Sequence, residues 1–432
     1  MYWEREIETM SRPNLAALQL ARLQQTIRQA NRSTYYGALF RQLNLTADSI
    51  NTLSDLQKLP FTTKQDLRDS FPYGMLSVAK SDVIRLHSSS GTTGNPTAVF
   101  HDRHDIDAWT NLMARSLYSV GVRSNDVFQN ICGYGLFTGG LGFQYGAERL
   151  GCLTIPAGAG NSQRQIKLMR DYGTNAVHAI PSYVHRLAEV MEQEGFDPRK
   201  NTELHTFIIG AEPHSEEQRQ RIEALFGVKA YNSFGLSEMN GPGVAFECTK
   251  QNGLHVWEDA FFVEIVNPNT LEPVADGEIG ELVMTTLDRQ AMPLLRFRTG
   301  DLTRILPGPC SCGRTHVRLD RITGRNDDMF IVKGCNIFPM QVEGVLMRIP
   351  DLGSNYLITL ETIDGVDELI VEAEIARGVD STDSHRLAWL TALLTRQIRD
   401  ETLVTPIVKL LPPETLPQSE GKAIRVRELR RT

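Results

Sequence analysis

Apolar or long side chains recur at helical spacing between residues 14 and 30, at Leu15, Leu18, Leu20, Leu23 and Ile27, and predict an amphipathic helix. From about 83 to 230 the pattern alternates. Short apolar runs (Val83–Leu86, Thr97–Phe100, Val127–Ile131, Ala176–Ile180, Thr206–Gly210) fit buried strands, and the stretches 106–120, 162–172, 182–194 and 215–226 fit helices. That alternation predicts a mostly parallel sheet covered by helices, with binding sites beyond the strand C-termini. From about 255 the runs become short and turn-bounded: Phe261–Val266, Gly280–Thr285 and Leu302–Leu306. After residue 327 the chain begins again, with Met329–Val332, a helical Gln341–Arg348, strand-like Tyr356–Leu360 and Leu369–Ile375, and a helical 384–400. The expected fold is α/β. A large N-terminal domain, 1–326, carries mostly parallel helix-covered sheets and a small β-rich subdomain at about 240–326; a small α+β C-terminal domain spans 327–432.

The totals narrow the function classes. With 432 residues there is room for two or three domains, and 41% hydrophobic with 22% charged residues is ordinary for a soluble globular chain. A net charge of −7 argues against a dedicated nucleic-acid binder. No apolar run approaches a membrane span, and the charged Met1–Glu6 start has no secretory h-region. Six cysteines are too sparse for a disulfide scaffold, so a reducing cytoplasm is the expected location.

The densest chemical signal is Ser88-Ser89-Ser90-Gly91-Thr92-Thr93-Gly94, five hydroxyls and two glycines between two strand-like runs. Small side chains let such a turn close its backbone N–H groups on an anion, and a polyphosphate is the natural occupant. The spacing is not the G-x-x-x-x-G-K-[ST] of a Walker A loop. A solvent-exposed Ser/Thr hairpin is the alternative.

This stretch resembles the phosphate-binding signature of the adenylate-forming superfamily, which includes acyl-CoA synthetases. Tyr231-Asn232-Ser233-Phe234-Gly235-Leu236-Ser237-Glu238 is similar to that family's second nucleotide motif, Arg298-Thr299-Gly300-Asp301 to its ribose-binding aspartate, Gly324-Arg325-Asn326-Asp327-Asp328 to its hinge and Gly421-Lys422 to its catalytic lysine. The order is the family's order. Leu59–Lys64, Gly133–Gly140, Asn336–Pro339 and the N-terminal Tyr2-Trp3-Glu4 resemble the phenylacetate–CoA ligase branch. One residue departs from the pattern: Asn95 stands where a lysine usually follows the loop, which removes one cation from the phosphate site.

The resemblance implies an aryl-acid–CoA ligase, phenylacetate–CoA ligase foremost, with two half-reactions. A carboxylate attacks the α-phosphate of ATP, giving acyl-adenylate and pyrophosphate; the thiol of coenzyme A then displaces AMP. It implies nucleotide contacts from Ser88–Gly94, Gly210, Ala211, Glu212, Tyr231, Asn232, Ser233, Phe234, Asp301 and Arg325, and Mg²⁺ held by Glu238. Lys422 would neutralise the carboxylate and α-phosphate, delivered by a C-terminal domain that swings about Asp327; Gly334 would admit the pantetheine arm of coenzyme A. The acid would lie among Tyr134, Phe137, Gly140, Pro181 and Ala211, with glycines at 139, 140 and 142 leaving room for a flat ring. The alternative for Gly133–Gly142 is a tight helix–strand packing contact. The partners implied are a small aryl acid, ATP and coenzyme A, with no nucleic acid or membrane; a homodimer is one assembly the resemblance allows.

A separate feature is inorganic. Cys310-Ser311-Cys312 forms a C-x-C, and Cys248 with His255 forms a C-x₆-H. Two such pairs on separate loops are a framework for a closed, tetrahedral structural Zn²⁺ site. His316 competes with His255 for the fourth position, and unrelated reduced cysteines are the alternative. Two other functional readings remain beside the CoA ligase: an adenylating enzyme with another acid or acceptor, such as a deazaflavin coenzyme, and a non-catalytic nucleotide-binding protein.

Overall fold

A computed structural model describes residues 2–88, 97–136, 138–326, 328–363, 365–417 and 423–430. The chain divides into two compact units: Met1–Gly158, Thr174–His178 and Tyr231–Ile322 form the first; Ala159–Gly173, Ala179–Ala230 and Thr323–Thr432 form the second. No described helix is long and apolar enough to cross a membrane.

In the first unit the helix Arg12–Ala30 buries Leu15, Leu23, Ile27 and Ala30, the face the spacing predicts. Gln19 is buried where Leu18 is not, because its side-chain amide donates to the Glu258 carbonyl at 2.9 Å. The helix Arg103–Ser119 begins earlier than its apolar pattern, since the Asp102 side chain caps it by accepting the Asp105 N–H at 2.8 Å. The strand Val127–Asn130 pairs in parallel with Leu153–Ile155 and Ala176–Ala179. Antiparallel pairing takes over downstream: Lys229–Leu236 with Gly241–Phe246, then Leu254–Val256, Arg318–Leu319 and Ile305–Leu306 in turn. A second sheet sets Phe261–Val266, Gly280–Thr286 and Phe297–Thr303 side by side, all antiparallel. The single run expected at Leu302–Leu306 is thus two strands in different sheets.

The helices Thr34–Leu43 and Thr138–Leu150 are among those that escape the sequence pattern. Thr34–Leu43 starts at a Ser33 cap whose hydroxyl accepts the Tyr36 N–H at 3.1 Å. Thr138–Leu150 contains Gly139, Gly140, Gly142 and Gly146, a composition that works against a helix in isolation. Tertiary contact reverses that preference. A Cβ at Gly146 would lie 2.6 Å from Met113 Cβ, and one at Gly142 would collide with the Trp109 ring, so only glycine lets this helix close on Arg103–Ser119.

The second unit contains the strand Thr206–Gly210 and the helices Ser162–Asp171, Pro181–Gln193 and Glu216–Phe226. Its C-terminal part is a four-stranded mixed sheet, Leu352–Ile363 antiparallel to Val366–Ile375, flanked in parallel by Val426–Glu428 and Ile407–Leu411. The helices Pro339–Met347 and Ser384–Thr402 bury Val342, Leu346, Leu390, Leu394 and Ile398 in the same core as this sheet.

Candidate active site

The hairpin that leads into and out of the Ser/Thr loop pairs Arg85–Ser88 with Ala98–His101. Ser88 donates its N–H to the Leu136 carbonyl at 3.1 Å, and His87 Nδ1 faces the same oxygen at 3.1 Å. The entry strand of the loop is therefore tied to the Gly133–Gly140 segment at a single carbonyl. Behind it His101 stacks on Trp109, 5.9 Å between ring centres, and burial pushes its basicity well below that of a free imidazole. Ser89, Ser90, Gly91, Thr92, Thr93 and Gly94 lie outside the described residues, as do Phe137, Asp327 and Lys422.

Asn130, at the end of its strand, organises the Gly133–Gly140 segment. Its side-chain amide donates to Tyr134 Oη at 3.0 Å and to the Gly140 carbonyl at 2.6 Å, and its Oδ1 meets His178 Nδ1 at 2.9 Å. Burial raises Tyr134 to about 12, so the phenol stays neutral. His178 is pushed down to about 3 by burial and stacks on Phe143 at 3.5 Å. The space beside the glycines is partly filled: a Cβ at Gly140 would lie 2.6 Å from the Gly133 carbonyl, and Gly142 abuts Trp109. Gly142 thus packs against the helix Arg103–Ser119.

Most of the second nucleotide motif runs along a strand. Tyr231, Asn232, Ser233 and Phe234 lie within the strand Lys229–Leu236, and Asn232 exchanges bonds with Glu247, its N–H to the carboxylate at 2.8 Å and its carbonyl from the Glu247 N–H at 3.1 Å. Glu238 follows in the short 3₁₀ turn Ser237–Met239 and is buried, with Lys64 Nζ 3.8 Å from its carboxylate. Arg289 is buried behind this turn; it donates to the Glu238 carbonyl at 2.5 Å and the Phe100 carbonyl at 3.2 Å, and burial lowers it to about 10. Asp301 sits within the strand Phe297–Thr303, and its N–H donates to Thr299 Oγ1 at 3.0 Å. The first unit thus holds Ser88, Tyr134, Gly140, Glu238 and Asp301, with Lys64, Asn130 and Arg289 as polar residues that sequence reasoning missed. Lys64 was visible in a quoted motif, but its reach to Glu238 spans some 170 positions of chain that only folding closes.

In the second unit Pro181 opens its helix, Gly210 ends its strand, and Ala211 adopts a left-handed φ of 68°. That turn aims Glu212 at the helix start, where its carboxylate accepts the Ser182 N–H at 2.6 Å and the Ser182 hydroxyl at 3.1 Å. Arg325 lies in the short strand Gly324–Arg325. Gly334 has φ of 80° at the turn between Phe330–Val332 and Cys335–Ile337, with open space where a Cβ would be. A cavity of about 620 Å³ is lined by Glu212, Pro213, Phe330, Glu343, Tyr356 and Arg425 among others.

The four sulfur and nitrogen donors do converge. Cys248, His255, Cys310 and Cys312 place their ligand atoms within 4.8 Å of one another. Cys248 and Cys310 sulfurs are 3.8 Å apart, and Cys312 Sγ is 3.4 Å from His255 Nε2. The Cys248 thiol and the His255 imidazole hold Cys312 down toward its thiolate. His316 is excluded: its ring nitrogens face the Val256 and Ile7 carbonyls, each at 3.0 Å.

Comparison with known proteins places this geometry. Residues 19–287 match the AMP-binding enzyme family, and residues 334–430 match the AMP-binding enzyme C-terminal domain. A phenylacetate-coenzyme A ligase of Thermus thermophilus is 42% identical, covering 100% of both chains. One from Escherichia coli is 41% identical over 98% of this chain and 97% of its own. Among solved structures, 2-hydroxyisobutyryl-CoA ligase in its postadenylation state is 28% identical and overlays with a TM-score of 0.93, covering 99% of this chain and 92% of that one. The same protein in its thioesterification state overlays with 0.73 at 30% identity and equal coverage. The chain belongs to the AMP-binding family of adenylate-forming acid–thiol ligases, in its phenylacetate–CoA ligase branch.

Proposed function

We propose that this chain converts phenylacetate, ATP and coenzyme A to phenylacetyl-CoA, AMP and pyrophosphate. The observation that carries the reading is the shared Leu136 carbonyl, which binds the strand entering the phosphate loop to the segment that presents Tyr134 and Gly140. An acid seated on that segment lies next to Ser88, the first residue of the motif that would grip ATP. One carboxylate oxygen of the acid attacks the α-phosphorus, the bond to the bridging oxygen breaks, and pyrophosphate leaves with the electron pair. Two anions meet in this step, so the catalytic demand is alignment and charge neutralisation. Glu238 supplies the hard carboxylate that would hold Mg²⁺, which screens phosphate charge when bound. Lys64, beside that carboxylate, is a further cation for the phosphates and offsets the lysine missing at Asn95. Asp301 takes the ribose hydroxyls, and Lys422 bridges the acid and the α-phosphate. In the second step the coenzyme A sulfur, as thiolate, attacks the acyl carbon, and AMP departs from the tetrahedral intermediate. The C-terminal domain, hinged at Asp327, turns between the steps, and Gly334 borders the pantetheine path. A panel of aryl and alkyl acids with ATP and Mg²⁺, assayed for AMP release with and without coenzyme A, tests the reading. Phenylacetate is expected to lead the panel and release to require coenzyme A; release without coenzyme A, or preference for an alkyl acid, overturns it.

The Cys₃His cluster is proposed to hold one structural Zn²⁺. A tetrahedral ion with Zn–S bonds of about 2.3 Å and a Zn–N bond of about 2.1 Å spaces its sulfurs about 3.8 Å apart and sulfur from nitrogen about 3.6 Å. The cluster's spacings of 3.8 and 3.4 Å fit that edge. Three of the four residues are buried, leaving no open position for substrate chemistry.

A further inference from the structure

Glu343, on the helix Pro339–Met347, is only 4% exposed, yet the reaction described above gives it no role. Its carboxylate is divided between two neighbours. One oxygen accepts the backbone N–H of Ser215 at 2.8 Å, and the other accepts the Tyr356 hydroxyl at 2.8 Å. Tyr356 stands on Leu352–Ile363 and belongs, like Glu343, to the C-terminal part of the unit. Ser215 does not: it caps the helix Glu216–Phe226, receiving the Gln218 N–H at 3.1 Å, and closes the segment Gly210-Ala211-Glu212-Pro213-His214. The carboxylate thus joins the C-terminal module to the end of a segment assigned to the nucleotide.

Around this contact the same two pieces meet elsewhere. Arg221, on the Ser215-capped helix, donates to the Leu352 carbonyl, and Arg348 pairs with Glu217 at 3.2 Å. Those contacts are flanking. Arg348 is about half exposed, and an exposed pair contributes little. Glu343 is a buried polar group whose hydrogen-bond partners come from both sides. We propose that Glu343 is a positioning residue: it clasps the C-terminal module to the Gly210–Ser215 segment for acyl-adenylate formation and releases it for thioester formation. The inference rests on the proposed two-step ligase, in which that module turns between steps.

The chemistry of the clasp suits a contact that is made and broken at every turnover. Burial raises the Glu343 carboxyl above its usual range, opposed by the Ser215 N–H, the Tyr356 hydroxyl and the nearby Arg425 guanidinium. Its two hydrogen-bond donors are neutral, so separation strands no buried ion partner, whereas a full buried ion pair would leave one. When the module leaves, water hydrates the carboxylate, which offsets the bonds lost. The arrangement also agrees with the solved relative, to whose postadenylation state this chain is more alike than to its thioesterification state.

The test uses the full-length enzyme and separates the half-reactions. Phenylacetate-dependent pyrophosphate exchange reports adenylation, and transfer from supplied phenylacetyl-adenylate to coenzyme A reports the second step. Glu343→Ala strands a buried N–H and a buried hydroxyl in the adenylating arrangement only. Exchange is expected to fall roughly ten- to a hundredfold while transfer stays within about twofold. Tyr356→Phe removes one of the two bonds without a cavity and is expected to lower exchange by about tenfold or less, again sparing transfer. Glu343→Gln, which keeps an acceptor for the Ser215 N–H, should restore most of the exchange. Equal loss of both steps in Tyr356→Phe, or undiminished exchange in a folded Glu343→Ala, overturns the clasp while leaving the ligase reading intact. A wild-type enzyme that performs neither step with any aryl acid overturns the ligase reading, and the clasp with it.

Discussion

Tyr2 Oη donates to the Cys312 carbonyl at 2.9 Å, so a residue at the start of the chain is fastened to the loop that carries two of the proposed zinc ligands. The neighbouring contacts repeat the arrangement. Glu8 and Arg314 pair at 2.7 Å with both side chains buried, and Thr315 donates its N–H to the Glu8 carbonyl at 3.1 Å. The other side of the cluster reaches Glu247, adjacent to Cys248, whose carboxylate holds the Asn232 N–H.

From this relationship the protein is expected to purify with about one zinc per chain, since a closed four-ligand site holds its ion firmly. Elemental analysis of untagged protein checks it, and Cys310→Ser/Cys312→Ser is expected to lose the ion. Chelation should lower the melting temperature and open the first dozen residues to protease, because the loop they clasp loses its anchor. A metal content unchanged in the double variant refutes the ligand assignment.

Lys422→Ala is expected to slow pyrophosphate exchange by about 10²–10³ while sparing transfer from supplied acyl-adenylate, the scale of losing one well-placed electrostatic contact. Equal loss in both steps, or none, would remove Lys422 from its proposed role.

Asp327→Pro tests the hinge. Proline holds φ near −65° and removes an N–H, so a backbone that needs two conformations is trapped in one. Overall thioester synthesis should fall far more than one of the partial reactions. An unchanged ratio of exchange to transfer in a folded variant would place the hinge elsewhere.

Asn130→Ala should act on the acid rather than on ATP. Tyr134 and the Gly140 carbonyl both lose their donor, at about 1–3 kcal/mol for each buried group left unpaired. KM for phenylacetate is expected to rise by about tenfold or more, with KM for ATP changed much less. A parallel rise in both would mean that Asn130 supports the fold alone.

His178 makes stability depend on pH. It is held at about 3 in the folded chain, against about 6.5 for a free imidazole, so the unfolded chain binds more protons between those values. Its neutral burial therefore favours the fold fully above about pH 6.5 and less as pH falls below that value. Between pH 6.5 and 5 the group is expected to remove about 2 kcal/mol. Denaturant unfolding of wild type and His178→Gln at pH 7 and pH 5 checks the difference; equal losses in the two proteins would assign the acid sensitivity to other groups.

Much of this protein lay open in its order of residues. Helical spacing in 14–30 and 384–400, apolar runs at 127–131 and 206–210, and the C-x-C with its distant Cys and His are local patterns, and local patterns survive without a fold. The choice between His255 and His316 does not: both are spaced well for a ligand, and only the pairing of Leu254–Val256 with Arg318–Leu319 turns one toward the cysteines and leaves the other against backbone carbonyls. Nothing in the glycine-rich run Thr138–Leu150 predicts its helix; Trp109 and Met113 occupy the space its missing side chains leave. Lys64 with Glu238, and Glu343 with Ser215, are joined across long stretches of chain by no repeating pattern. Periodicity encodes which face of an element is buried; which polar groups are then buried together depends on how elements pack, because a hydrogen bond of 2.8 Å inside a dry interior is specified by tertiary geometry and not by the spacing of residues along the chain.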